Sequence, residues 1–200
     1  QLFGSATKPE ASRGDHSREQ IKATYYDFVP VVTSDAVFSM NRHNGDQLWK
    51  YESSNGAIIN STITIGGDRL YFIESTNEMT LAEPTGKSTL KDLFSSEANI
   101  VAMDLATGDL AWRAPFDLSE LQHQVFMSYS QEKLVVVGTK NQREGLKQFV
   151  WYDLHSFEAS DAKHVWSATQ NQRWGINGDH GEQDHPPTIV GDTIYQRPYA

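Results

Sequence analysis

The sequence contains no cysteine, no long apolar run and fewer basic than acidic residues. Without cysteine it can form no disulfide, no thiolate metal site, no c-type haem attachment and no cysteine nucleophile. No run approaches the roughly 20 apolar residues of a membrane-spanning helix, so we expect no transmembrane segment. Its 17 Lys and Arg against 26 Asp and Glu give a net charge of −9. With no basic cluster to neutralise phosphates, we expect no nucleic-acid partner.

The first 24 residues are polar and carry no sustained hydrophobic period. We interpret residues 1–24 as a polar N-terminal segment, a tail or a surface-following stretch, and expect it to be the least ordered part of the chain. It lacks the apolar core of a secretory signal, which leaves either a cytosolic protein or one whose leader is absent from this sequence.

From Tyr25 onward the sequence has the pattern of short β-strands. Runs rich in Val, Ile, Tyr, Phe and Thr, such as RLYFI at 69–73 and KLVVV at 133–137, are separated by Gly, Asn and Asp turns. Because apolar residues occupy consecutive positions in these runs, both faces of the sheets should be covered. One stretch, STLKDLFSSE at 88–97, is suited to two helical turns. The sequence predicts an all-β fold.

Two phrases occur twice. MNRHNGDQLW at 40–49 returns as MDLATGDLAW at 103–112, and TIGGDRLY at 64–71 returns as TIVGDTIY at 188–195. A unit of four short strands every 45 to 60 residues or so is typical of a β-propeller, in which each unit forms one blade. We predict a partial propeller over residues 25–200, with its remaining blades outside this chain. The predicted blades are 25–57, 58–121, 122–185 and an incomplete 186–200.

The repeated phrase resembles the D-x-x-T-G-x-x-x-W repeat of the PQQ-like, or quinoprotein-like, β-propeller family. One copy matches at every position of the motif: Asp104, Thr107, Gly108 and Trp112. Another has two polar substitutions, Asn41 and Asn44, and keeps Gly45 and Trp49. A third copy, YDLHSFEASDAKHVW, keeps Asp153 and Trp166, has lost the glycine and has gained five residues. Its loop is therefore expected to be rebuilt.

The residue types of the motif can also be explained by the geometry of a hairpin turn. Gly45 and Gly108 suit a hairpin turn that closes at positive φ, and Asn41 or Asp104 can accept backbone N–H bonds within that turn. The resemblance implies that the tryptophan packs between neighbouring blades, where it supplies a large apolar surface. The alternative is that the tryptophans line a ligand or sugar groove, but a binding residue need not recur in every repeat.

The resemblance implies two classes of function. Quinoprotein dehydrogenases of the family hold PQQ with Ca²⁺ through Glu, Asn and Asp ligands, whose positions we cannot match here. Other members, such as the outer-membrane assembly lipoprotein, bind no cofactor and present loops to protein partners. The irregular repeats favour a non-catalytic binding or scaffolding module of a secreted or periplasmic bacterial protein, with a protein or carbohydrate partner. The alternatives are a fragment of a PQQ-dependent alcohol or sugar dehydrogenase and an accessory domain of a polysaccharide-processing enzyme.

The connection NQRWGINGDHGEQDHPP at 171–187 departs most from the repeat. Loops between blades are where a propeller carries function, and this one offers four candidate ligand-binding residues: Arg173, Trp174, Asn177 and Asp179. Three further residues have side chains suited to a divalent metal: His180, Asp184 and His185. The alternative is a solvated loop in which Gly and Asn make turns. Four other histidines are interpreted as surface or packing residues: His43, His123, His155 and His164.

Overall fold

A computed structural model describes residues 1–6, 8, 30–122, 124–144, 147–171 and 186–196, with backbone alone for 141–144, 147–150 and 171. The strands of this part are β1 (Leu2–Ser5), β2 (Val31–Ser34), β3 (Ala36–Met40), β4 (Gln47–Glu52), β5 (Ile58–Gly66), β6 (Arg69–Ser75), β7 (Lys87–Ser88), β8 (Ala98–Asp104), β9 (Leu110–Phe116), β10 (Val125–Ser130), β11 (Lys133–Glu144), β12 (Lys147–Glu158), β13 (His164–Asn171), β14 (Thr188–Val190) and β15 (Thr193–Tyr195). A 3-10 turn (Glu78–Thr80) and a one-turn helix, α1 (Leu90–Leu93), lie between β6 and β8.

Two four-stranded antiparallel meanders form the centre of the molecule. One has the order β5-β6-β8-β9 and the other the order β10-β11-β12-β13, and they fall inside the predicted ranges 58–121 and 122–185. The hairpin β14–β15 lies within the range 186–200. The predicted all-β fold built from antiparallel propeller blades is confirmed.

The first blade contains a strand that the sequence did not predict. β1 pairs antiparallel with β3, with Leu2 opposite Met40, and β3 pairs in turn with β4. The order β1-β3-β4 repeats the order β6-β8-β9 of the second blade. The interpretation of residues 1–24 as a tail is therefore wrong for residues 2–5, which form a blade strand because the edge of β3 supplies backbone partners.

A segment of the first blade pairs with a segment of the second through two short strands, β2 and β7. β2 lies in the connection from β1 to β3, and β7 lies in the connection from β6 to β8. β2 pairs with both β7 and β5, with Val31 opposite Ser88 and Thr33 opposite Ile59. The chain thus adds a short sheet extension that binds blade one to blade two.

The strands of the second and third blades bury both faces. Along β6, Leu70 and Phe72 pack into a core shared with the first blade, while Tyr71 and Ile73 pack into a core shared with the third. β11 divides in the same way: its residues 134 and 136 face the second blade, and its residues 135 and 137 face the hairpin β14–β15. The prediction that sheets are covered on both sides is confirmed for the inner strands of these two blades.

The helix predicted at 88–97 is shorter than the pattern suggested. α1 covers four residues, with the Thr89 side chain accepting a hydrogen bond from the backbone N–H of Asp92 as its N-terminal cap. Leu90 and Leu93 are both fully buried, so the turn serves to seat two side chains in the core. No helix in the part of the chain that the structure describes is long and apolar enough to cross a bilayer.

The placement of β1 predicts a difference between two neighbouring substitutions. Phe3 packs against the core between blades one and two, with its ring 6.0 Å from the ring of Trp49, whereas Leu2 is 57% exposed. Phe3→Ala should lower the free energy of unfolding by about 1 to 3 kcal/mol, less than for a fully buried ring, and Leu2→Ala should leave it nearly unchanged. Urea unfolding measures both, and an equal effect would mean that β1 is not part of the blade.

Candidate functional site

The repeated turn at 104–109 is held by one carboxylate. Asp104 Oδ1 accepts hydrogen bonds from the backbone N–H groups of Thr107 at 2.8 Å and Ala106 at 2.9 Å, and from the Thr107 hydroxyl at 3.1 Å. These bonds, led by the one from the Thr107 backbone, hold the pKa of the Asp104 carboxyl below its ordinary value. Gly108 donates to the Asp104 carbonyl at 2.9 Å with φ +77°. The motif therefore fixes a turn.

The first copy builds the same turn with an amide in place of the carboxylate. Asn41 Oδ1 accepts from the backbone N–H of His43 at 2.9 Å, and Gly45 donates to the Asn41 carbonyl at 2.8 Å. Gly45 has φ +79°, close to that of Gly108. His43 is thus a turn residue at the surface.

The third copy keeps the turn, in a register that the sequence did not reveal. The Glu158 carbonyl accepts from the Ala162 backbone N–H at 2.9 Å, and Ala162 has φ +58°. Glu158 therefore takes the place of Asp104 and Ala162 that of Gly108, with the same spacing to Trp166 as Asp104 has to Trp112. The predicted five-residue insertion and rebuilt loop are wrong. The motif was not recognised because Glu158 stands in place of the aspartate and Ala162 in place of the glycine.

Asp153, assigned to the third motif from the sequence, lies instead in the middle of β12. Its Oδ2 is 2.7 Å from Lys140 Nζ, and its Oδ1 accepts from the Thr169 hydroxyl at 2.6 Å. Lys140 also pairs with Glu120 at 2.5 Å. Asp153 thus links β11, β12 and β13 and takes no part in a turn.

Trp49 joins the first blade to the second. Its Nε1 donates to the Leu105 carbonyl at 3.1 Å, and the side chain packs directly over the turn. A Cβ atom at Gly108 would lie 2.5 Å from Trp49 Cδ2, so the indole fits only because this residue is glycine. With 8% exposure, Trp49 offers no surface to a ligand, in contrast to the groove interpretation.

Trp112 makes a looser contact between the second and third blades. Its ring lies 6.0 Å from that of Tyr71, but its buried Nε1 has no hydrogen-bond partner. Ala159, which corresponds to Leu105, has a carbonyl that accepts from Arg69 instead, at 3.3 Å. The third copy of the turn has Ala162 where the second has Gly108.

An open cleft of about 270 Å³ lies beside this looser contact. Its aromatic wall is the pair Tyr71 and Tyr129, whose rings are stacked at 5.9 Å. Its charged lining consists of Asp68, Arg69, Glu132 and Glu158. With four charged side chains in its lining, the cleft is smaller and more polar than typical small-molecule sites.

The contact between the first and second blades contains a buried charge. Glu74 is fully buried, and its Oε1 accepts from the Tyr51 hydroxyl at 2.7 Å. Arg113 Nη2 lies 3.0 Å from Glu74 Oε2 as an ion pair and donates to the Tyr51 oxygen at 2.7 Å. Burial, followed by the hydrogen bond to Glu74, raises the pKa of the Tyr51 hydroxyl. The three side chains form a closed network between blades.

Two histidines meet at one serine on the third blade. Ser167 Oγ lies 2.8 Å from His155 Nδ1 and 2.7 Å from His164 Nε2. A hydroxyl has one proton, so it can donate to one ring while the other ring donates to it. Phe116 from the second blade stacks on His164 at 6.0 Å, and burial lowers the pKa of His155.

Sequence reasoning missed this cluster, because it treated His155 and His164 as separate surface or packing residues. The pairing of β12 with β13 places Ser167 directly opposite His155, and the bulge at Ser156 and Phe157 brings His164 alongside. Ser167, three residues after His164, could have suggested the cluster only if the strand register had been known.

The loop predicted to carry function lies outside the described residues. This applies to every candidate there: Arg173, Trp174, Asn177, Asp179, His180, Asp184 and His185. Among the residues that the structure does describe, no group of three or more His, Asp or Glu side chains could hold a metal ion.

The described residues define a partial β-propeller of four-stranded antiparallel blades. No protein-family model and no curated protein matches the chain. A europium-containing methanol dehydrogenase is similar in structure at 12% identity and TM-score 0.42, over 69% of this chain and 22% of its own. BamB from Moraxella catarrhalis is similar at 12% identity and TM-score 0.40, over 99% of this chain and 62% of its own. Likeness at this level assigns no function and no residue role.

The two glycine turns allow the blade contact to be measured separately from backbone strain. Gly45→Ala places a methyl group in open space at positive φ, and should cost about 1 to 2 kcal/mol of unfolding free energy. Gly108→Ala adds the clash with Trp49 and should cost a further 1 to 3 kcal/mol or so. Urea unfolding of both variants gives the difference; equal losses would show that Trp49 does not depend on this glycine.

His155 predicts a pH dependence of stability. Its pKa in the folded chain is below its ordinary value of 6.5 because of burial, so acid favours the unfolded chain, which binds the proton first. The contribution of neutral His155 to the free energy of unfolding is complete above pH 6.5. This contribution is lost as the pH falls from 6.5 towards the lower pKa of the folded chain. His155→Gln should reduce the slope of unfolding free energy against pH in this interval. An unchanged slope in His155→Gln would contradict the assignment.

Proposed function

We propose that this chain is a non-catalytic binding and scaffolding module, part of a larger propeller of PQQ-like repeats in a secreted or periplasmic bacterial protein. Its remaining blades lie outside this chain. The single observation that carries the proposal is the use of charged and aromatic groups between the blades as internal contacts. The network of Glu74 lies between the first two blades and supports the proposal directly. The network of Lys140 is centred on the third blade, and its charged groups are likewise paired with one another.

The first network is that of Glu74. A fully buried carboxylate is costly unless it is paired and hydrogen-bonded; here Oε1 accepts from the Tyr51 hydroxyl, and Oε2 is ion-paired with Arg113 but accepts no hydrogen bond. The arginine and the carboxylate belong to the second blade and the tyrosine to the first. Such a group is suited to fixing two blades in place, because its charge is already compensated by the protein.

The second network is that of Lys140. Its ammonium lies between the carboxylates of Glu120 and Asp153, and Asp153 is 6% exposed. Thr169 occupies the other oxygen of Asp153. A general base must reach a substrate proton with a free lone pair and a suitable pKa. Both oxygens of Asp153 are engaged by its neighbours, which favours a structural role for the pair of Asp153 and Lys140.

The partner of such a module is a protein or a carbohydrate bound at exposed loops and edges. The chain's net charge of −9 favours a neutral or basic partner surface and disfavours nucleic acid. Location in the periplasm or outside the cell belongs to the same proposal.

The experiment asks whether the complete protein turns over as a quinoprotein. The protein is incubated with PQQ and Ca²⁺, and reduction of a dye acceptor is followed with a panel of alcohols and aldoses. Calorimetric titration with PQQ runs in parallel, and a reconstituted quinoprotein dehydrogenase in the same buffer shows that the assay works. We expect neither turnover nor PQQ binding. Saturable dye reduction dependent on PQQ would establish the dehydrogenase and overturn the scaffold.

A further inference from the structure

The outer edge of the third blade differs from those of the first two. β4, β9 and β13 are the last strands of successive blades, and in the described part of the chain each pairs on one side alone, with β3, β8 and β12 respectively. β13 is eight residues long, against six for β4 and seven for β9. Every residue from His164 to Gln170 is exposed.

The first two edges carry the residues that block strand pairing. β4 contains Lys50 and Glu52, which form an ion pair at 2.5 Å, and β9 contains Arg113 and Pro115. Charged side chains and proline are the usual protections of an exposed edge, because they resist the approach of another strand. β13, with the sequence HVWSATQN, contains no Lys, Arg, Asp, Glu or Pro. One chain thus provides two protected edges and one open edge in equivalent positions.

We propose that β13 is a strand-addition site, at which an extended segment of a partner polypeptide joins the third blade as a fifth strand. An unpaired edge presents a row of backbone N–H and C=O groups, and these supply the hydrogen bonds. Val165 is 44% and Trp166 38% exposed, one on each face of the strand since neighbouring residues alternate. Val165 offers an apolar contact to a side chain of the added segment, while Trp166 holds the motif position of Trp49, which contacts the next blade. This inference rests on the proposed binding function and names the partner's chemical class.

Charge decides between two occupants of the edge. A second copy of this chain would bring another net charge of −9 towards the first, which opposes association. A neutral or basic segment with β-branched residues at alternate positions meets no such repulsion and has the conformation that the edge requires. The partner is therefore an extended, uncharged to basic stretch of another protein.

The test uses the full chain and two capped peptides of equal length and charge. One alternates valine and lysine over eight residues to match β13, and the other alternates proline and lysine and so loses half of its backbone donors. Amide hydrogen exchange followed by NMR should show slower exchange in β13 with the valine peptide, by about tenfold, and no change with the proline peptide. Equal protection by both peptides would mean attraction of charge alone and would overturn the proposal.

A matched pair of variants locates the binding. Ala168 in β13 and Ala111 in β9 are both exposed alanines on outer strands. Ala168→Lys should weaken binding of the valine peptide by about tenfold, because it installs the protection that β9 already has, and Ala111→Lys should not. Equal weakening, or protection that appears in β4 or β9 instead, contradicts the assignment. Circular dichroism checks that each variant is folded. If a variant is unfolded, the exchange experiment on the unaltered chain is the deciding test.

Two outcomes separate this inference from the function it rests on. PQQ-dependent turnover would overturn the scaffold whatever happens at β13. Absence of β13 protection would overturn strand addition and leave the scaffold standing. Protection of β13 that rises with protein concentration without peptide, together with dimers in sedimentation, would show that a second copy occupies the edge and would replace the proposed partner.

Discussion

Burial of both faces of the inner strands is the constraint on which the rest of this structure depends. Leu70 and Phe72 pack towards one neighbouring blade, and Tyr71 and Ile73 towards the other. A blade with two apolar faces is insoluble by itself and stable only between neighbours. The contact surfaces, the repeated turn and the position of the tryptophan all follow from the need to stack such sheets at a fixed distance.

Glycine at the turn and tryptophan on the preceding blade act as one unit. Where Gly108 is present, Trp49 lies flat on the backbone and donates to Leu105. Where Ala162 replaces it, the corresponding Trp112 has an unpartnered N–H and a cleft opens beside it. The two copies of the turn therefore coincide with different seatings of the tryptophan from the preceding blade.

Much of the fold could be predicted because strands and glycine turns leave local signals. Alternation of buried faces, the turns at Gly45 and Gly108, and the strand content all follow from neighbouring residues. β1 could not be predicted, since its partner β3 lies beyond a long connection and four residues of LFGS are no pattern. The cluster of His155, His164 and Ser167 depends on strand register, which a single sequence does not fix. The turn from Glu158 to Ala162 was not predicted, because neither residue matches the motif although the backbone forms the same turn.

The pairing of β2 with β5 and β7 makes the blade contacts unequal. Blades one and two share this backbone pairing in addition to their packed faces, the buried Glu74 and the bond from Trp49, whereas blades two and three have the looser Trp112 contact between them. The two interfaces therefore differ in kind: backbone pairing and a buried ion pair join the first two blades, while the larger apolar core joins the second and third.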